Sequence, residues 1–168
     1  RLPSVAPDEV RGGYVATRRL LEAGHSRVGL INIETLESGL PGAVGRYEGY
    51  TQALEEAGLA LNPAVIRFGA GNEEDGYRHA MELMTAAKPP TAIFCANDRT
   101  ACGAYQAASE LRLSIPGDVS IVGFDNQVTL APHLRPGLTT LELPFVAMGR
   151  RAVDLILQGA EPDGRVEL

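Results

Sequence analysis

The chain is poor in the residues that usually announce catalysis, metal binding or nucleic-acid binding. Among 168 residues there are two cysteines and three histidines. Cys95 and Cys102 match no metal-ligand spacing and suit a reducing compartment as packed free thiols, so neither a metal nor a cofactor is expected. His25, His79 and His133 each stand apart from an obvious nucleophile, and neither a G-x-S-x-G elbow nor an H-E-x-x-H helix occurs. No catalytic residue is expected, and the enzyme reading has no support. His25, directly after Gly24, reads as a post-helix residue bonding local backbone. Positive charge is scarce as well: the formal net charge is -6, and the absence of a long Lys/Arg cluster argues against this chain gripping a phosphate backbone. No apolar run approaches the ~20 residues that span a bilayer, so no membrane partner is expected. The chain starts at Arg1 without an initiator Met and without the n- and h-regions of a signal peptide, from which a fragment of a longer protein is expected.

Glycine-rich loops of the nucleotide-binding kind are incomplete. Gly69 and Gly71 follow a predicted strand, but the third glycine is missing, and Glu73, Glu74 and Asp75 stand at the helix start where a pyrophosphate would need to sit. Gly39, Gly42 and Gly45 lack the Lys and Ser/Thr that complete a P-loop.

What is present is a repeated grammar of apolar strand followed by a polar stop. With 45% apolar residues and 21% charged, the chain has material for one domain with a real core, and it contains no internal repeat. Strands are predicted near 28 to 33, 65 to 68, 91 to 96 and 119 to 124. Helical spacing links Val10, Tyr14, Thr17, Leu20 and Leu21; Tyr50, Ala53, Leu54 and Ala57; Tyr77, Ala80, Met81 and Met84; and Ala101, Ala104, Tyr105, Ala108 and Leu111. The order αβαβαβαβ predicts an α/β fold with a doubly wound parallel sheet in a three-layer αβα sandwich. After Asp125 comes an irregular stretch with Pro132 and Pro136, the apolar segment Leu138 to Leu143, and an amphipathic helix at about 145 to 158.

Strands of one parallel sheet end on the same side, so polar residues distant in sequence can converge on one rim. The candidates are Arg46, Asn97 and Asp125, with Ser38 and Asn72 as weaker additions. Together an amide, a guanidinium fork and a carboxylate offer the oriented donors and acceptors that a polyhydroxylated or heterocyclic small molecule needs. Structural roles account for the same residues: Asn97 or Asp98 as helix cap, Asp125 in an Asx turn, Arg46 as a solvated first-turn residue.

Several segments in order resemble one family. GHSRVGLI at Gly24 to Ile31, RYEGY at Arg46 to Tyr50, PTAIFCANDRTACGA at Pro90 to Ala104, IPGDVSIVGFDN at Ile115 to Asn126, PGLTT at Pro136 to Thr140 and MG at Met148 and Gly149 resemble the effector-binding region of lactose-repressor and galactose-repressor family transcription regulators. The resemblance implies a periplasmic-binding-protein-like lobe of a cytoplasmic, homodimeric repressor whose N-terminal helix-turn-helix headpiece, the part that binds operator DNA, is absent here. It implies that residues 1–143 form the C-terminal lobe, and that 144–168 form a crossover helix and tail belonging partly to the missing N-terminal lobe. A small-molecule effector would be held by Arg46, Asn97 and Asp125, with Ser38, Gly71 and Asn72 nearby. The dimer seam would include Cys102, Tyr105, Leu130 and His133. The chain departs from the family in having Asp8 and Glu9 where Asp-Asn is frequent, and Gly71 or a neighbour where an aromatic stacking residue is common. The loop from Asp125 to Thr139 also looks about one residue longer than usual. An extracytoplasmic solute-binding protein of a transport system is the alternative, distinguished by a signal peptide in place of a headpiece.

Overall fold

The computed structural model describes residues 4–158 and 165–167. The chain divides into a larger unit, Glu9–Glu142, and a smaller one built from the described parts of Arg1–Asp8 and Leu143–Leu168.

In the larger unit the predicted alternation is realised as helices α1 (Glu9–Glu22), α2 (Pro41–Glu56), α3 (Glu73–Met84) and α4 (Asp98–Glu110) between strands β2 (Val28–Ile33), β3 (Ile66–Gly69), β4 (Ala92–Cys95) and β5 (Ser120–Asp125). A fifth strand, β6 (Thr139–Glu142), completes a parallel sheet of order β3-β2-β4-β5-β6. It lies in the segment Leu138 to Leu143, to which periodicity assigned no element. Its four residues TTLE alternate weakly, and only pairing with β5, Val122 opposite Thr139 through Asp125 opposite Glu142, fixes them as an edge strand.

Apolar β-branched and aromatic residues fill both faces of the sheet. Ile31, Ile93, Cys95 and Ile121 pack with Leu83, Ala101, Ala104 and Ala108 of α3 and α4. On the other side Phe124 lies against Gly12 of α1, and the buried Tyr50 hydroxyl of α2 donates to the Val28 carbonyl at 2.8 Å. Leu30, Ile31, Ile93 and Phe94 are at most 1% exposed, and each such side chain contributes roughly 1.5–3 kcal/mol. The two helix pairs, α1 with α2 and α3 with α4, touch through glycine. A Cβ on Gly49 would collide with the Val10 carbonyl, and one on Gly103 with the Glu73 carbonyl.

At the amino ends of the strands His25 does more than close a helix. Its Nδ1 lies 2.9 Å from Thr91 Oγ1 and its Nε2 2.9 Å from Ser120 Oγ. Its backbone N–H does bond local backbone, donating to the Leu20 carbonyl at 3.3 Å, and in addition the imidazole ties the end of α1 to the starts of β4 and β5. Cys95 is fully buried, as a packed thiol should be, whereas Cys102 is partly exposed.

The smaller unit pairs β1 (Ser4–Ala6) in parallel with β7 (Arg165–Glu167), and α5 (Phe145–Leu157) packs on β1. The described residues 4–8 thus group with α5. Val146, Val153, Ile156 and Leu157 of α5 are all more than half exposed.

Candidate functional site

All five strands of the main sheet run parallel, so their carboxyl ends share one edge. Backbone strain concentrates there. Glu34 after β2 has φ 81°, Asp125 closing β5 has φ 110° and Asn126 has φ 51°, conformations that non-glycine residues seldom adopt.

Arg46, in the second turn of α2, is the centre of this rim. Far from being solvated, it is 5% exposed. Its Nε donates to Glu9 Oε2 at 2.7 Å and its Nη2 to Glu9 Oε1 at 3.3 Å, a two-pronged pair with the first residue of α1. Nη1 donates to the Ala96 carbonyl beyond β4. The guanidinium carbon stands 3.9 Å from the centre of the Phe124 ring, and Nη2 is 3.9 Å from Asp125 Oδ1. Gly42 and Gly45 make room for this arrangement, because a Cβ on Gly45 would approach the Glu9 Cβ to 2.6 Å. Those glycines, which resembled a broken phosphate loop, serve close helix approach.

Asp125 is not used up locally. An Asx turn would draw the Gln127 N–H to its carboxylate, but that N–H donates instead to Asp98 Oδ2 at 2.6 Å. Among the described residues the Asp125 carboxylate accepts a 3.2 Å bond from the Gln127 side chain besides the longer Arg46 contact, and it stays partly accessible. Burial raises its pKa, the Gln127 bond and Arg46 oppose this, and the charges of Asp98 and Glu9 push it up again.

Asp98, the alternative helix cap in the sequence, leaves the cap to Asn97 and has a different task. It is fully buried, accepting from Gln127 N and from Thr140 Oγ1, both at 2.6 Å. Its carboxylate pins the segment after Asp125 to the start of α4, with a pKa raised by burial and held down by those bonds. Asp98 therefore positions the strained Asp125 backbone from beneath.

The remaining candidates are more committed. Asn97 caps α4 by accepting from Thr100 N at 2.7 Å, while its Nδ2 donates to the Gly71 carbonyl at 2.9 Å. That second bond brings Gly71 to the same rim, where φ is 71° and a Cβ would come within 3.0 Å of both Asn97 Nδ2 and Ile33. Asn72 caps α3 through Asp75 N at 2.8 Å. Ser38 sits exposed in a single 3-10 turn, donating to the Thr35 carbonyl at 2.7 Å. Arg46, Asn97, Gly71 and Asp125 are thus linked around the strand ends, Asn72 adjoins them through the chain, and Ser38 has no bond to them. Glu9 was missed; its only signal was standing where the resembled family often has Asn.

The residues proposed for a dimer seam lie on α4 and the loop after β5. Tyr105 is 7% exposed and part of the core, Cys102 and Leu130 are half-buried, and His133 is exposed.

The family signature for a periplasmic binding protein-like domain matches residues 17–167. The HTH-type transcriptional repressor PurR of Haemophilus influenzae is 41% identical over 147 residues, covering 88% of this chain and 43% of that protein. The ribose operon repressor of the same species is 42% identical with the same coverage. Among solved structures, a transcriptional regulator CelR–cellobiose complex superposes with a TM-score of 0.89 at 30% identity, covering 99% of this chain and 51% of that one. A LacI family transcriptional regulator from Mycobacterium smegmatis gives 0.89 at 30% identity, covering 100% and 62%. The chain spans less than half the length of the curated relatives named here, and those relatives are repressors, not enzymes or transport proteins. With its parallel five-stranded sheet and its motifs in order, the chain belongs to the LacI family of transcriptional regulators, as part of their periplasmic-binding-protein-like domain.

Proposed function

We propose that the whole protein is a cytoplasmic repressor without catalytic activity, in which Glu9–Glu142 forms the C-terminal lobe of the effector sensor and the smaller unit begins a second lobe. The exposed apolar face of α5 supports the second-lobe assignment, since Val146 and Ile156 are at least 70% exposed. Among the described residues no helix is long and apolar enough to cross a membrane. The effector is a small polar molecule, a sugar, polyol or nucleobase-like compound, contacted by Arg46, Asn97 and Asp125 with Gly71, Asn72 and Ser38 at the margin. It acts by differential affinity for two lobe arrangements, which set the spacing of helix-turn-helix headpieces on operator DNA.

The observation that carries this reading is the Asp125 carboxylate, strained in backbone, largely buried yet still accessible, and spared from an Asx turn because Asp98 takes the Gln127 amide. A carboxylate left in that state can accept from two hydroxyls of a ligand. With an effector found by thermal-shift screening of sugars, polyols and purines on the full-length protein, Asp125→Ala is expected to weaken binding by roughly a hundredfold, because ligand donors lose partners worth about 2–3 kcal/mol. Calorimetry showing affinity unchanged within threefold would remove Asp125 from the site.

The protein is also proposed to form a homodimer through α4 and the loop around Leu130 to His133. The half-buried Cys102 and Leu130 beside a proline-stiffened loop give an interface core, with Tyr105 supporting it from within. Sedimentation of the full-length protein at tens of micromolar should show a dimer, the concentration being about that of a modest interface; a strict monomer there refutes it.

A further inference from the structure

We propose that Glu9 makes this rim refuse anionic groups, so that the effector is an uncharged, hydroxyl-rich molecule and not an acid or a phosphorylated compound. This rests on the effector reading above and adds the charge class that the lobe will accept.

A guanidinium beneath a ligand crevice is ordinarily the group that captures a carboxylate or phosphate, because its fork matches two anionic oxygens. Here the Nε and Nη2 side of the fork is taken by Glu9, and three of the five N–H donors are engaged. Glu9 Oε2 and Oε1 receive Nε and Nη2, the Ala96 carbonyl receives Nη1, and Phe124 covers one face of the plane. Glu9 is 12% exposed and Arg46 6% in their side chains, so water screens this pair poorly. The other group beside Arg46 is Asp125, again a carboxylate. One positive charge faces two negative ones, and Asp98 adds a third behind Asp125. An incoming anion would have to break the Glu9 pair and then meet Asp125. A neutral polyol needs neither: Asp125 accepts from its hydroxyls, and a remaining N–H of Arg46 can donate to a hydroxyl oxygen while the Arg46–Glu9 pair stays intact.

Nearby cations do not alter the balance. Arg99, in the first turn of α4, is already paired with Glu73 at 3.5 Å, and Arg78 with Asp75 at 2.5 Å. At the same rim Gly71 presents no side chain, so that position adds no cation.

The test uses the full-length protein and inorganic phosphate as the anionic probe, followed through the Nε–H resonance of Arg46 by nuclear magnetic resonance. Wild type should show no saturable shift. Glu9→Gln should bring saturable phosphate binding at Arg46, at least tenfold tighter than any seen in wild type, with Glu9→Asn as a second variant should the first fold poorly. In parallel, uncharged sugars and their phosphate esters are titrated into wild type, where only the uncharged members should perturb Asp125. Saturable phosphate binding at Arg46 in wild type overturns the inference, and so does a Glu9 variant that folds and stays blind to phosphate. A phosphate ester that outbinds its uncharged parent at this rim also overturns it. Phosphate exclusion in wild type, relieved in the Glu9 variants, with no small molecule perturbing the rim would support the charge selection and refute the effector reading instead.

Discussion

Arg46→Ala is expected to lower the unfolding free energy by about 3–5 kcal/mol, the range for stripping one partner from a buried ion pair. The loss does not come from the Coulomb energy of the pair. It comes from what remains: Glu9 and Asp125 stay where the fold puts them, at 12% and 17% side-chain exposure, with their shared cation gone. The Ala96 carbonyl loses its donor and the Phe124 ring its cover. Arg46→Lys keeps a charge but reproduces neither the two-pronged contact nor the stacking, so an intermediate loss of about 1–2 kcal/mol is expected. Arg18→Ala supplies the contrast. Its partner Glu22 lies one helical turn away on the exposed face of α1, where water screens the pair and its contribution is small. Urea unfolding of the three variants gives the comparison, and an Arg46→Ala loss no larger than that of Arg18→Ala would mean that the carboxylates relax into water. Because the same residue organises the rim, the result also tells whether the site's geometry depends on this ion pair.

The parts of the fold that follow simple periodicity were legible. Continuous apolar runs such as VGLINI and SIVGFD demanded strands covered on both faces, and the helices between them repeat apolar residues every three or four positions. The strand β6 was not legible, because a short edge strand next to Pro136 carries too little alternation and owes its state to its partner β5. For the rim, Asn97 and Asp125 were singled out by residue type after an apolar run and Arg46 by the R-x-x-GY motif, and the structure brings the three near the same strand ends. Their chemistry was not legible, since burial decides it. Spacing could not say that the Gln127 amide goes to Asp98, which separates an Asx turn from an available carboxylate. Nor could it say that Glu9, 37 residues away from Arg46, fills the fork. Asn97 remained ambiguous for a physical reason: it caps α4 with its oxygen while its nitrogen fixes Gly71.

Gly49→Val is expected to cost at least about 3 kcal/mol, at or beyond the upper end of the usual overpacking range. The reason is that the atoms in the way are backbone. A Cβ on Gly49 would fall inside the radii of the Val10 carbonyl oxygen and the Tyr14 nitrogen, and neither can rotate aside as a side chain would. The opposing surface of α1 is equally bare, since Gly13 meets the Arg46 backbone in the same way. Relief therefore requires α1 and α2 to separate along their shared length, and this draws Glu9 at the start of α1 away from Arg46 on α2. Effector affinity should fall together with stability for that reason, although Gly49 touches no ligand. Gly137→Ala serves as the control: no atom lies within 4 Å of the added carbon and its φ is not in the left-handed region, so a change between neutral and a gain of about 0.4–1 kcal/mol is expected. Urea midpoints for both variants, with the slope checked for two-state behaviour, decide the matter. A Gly49→Val protein within about 1 kcal/mol of wild type, about half the ordinary cost of overpacking, would show that the α1–α2 contact is looser than its glycines imply.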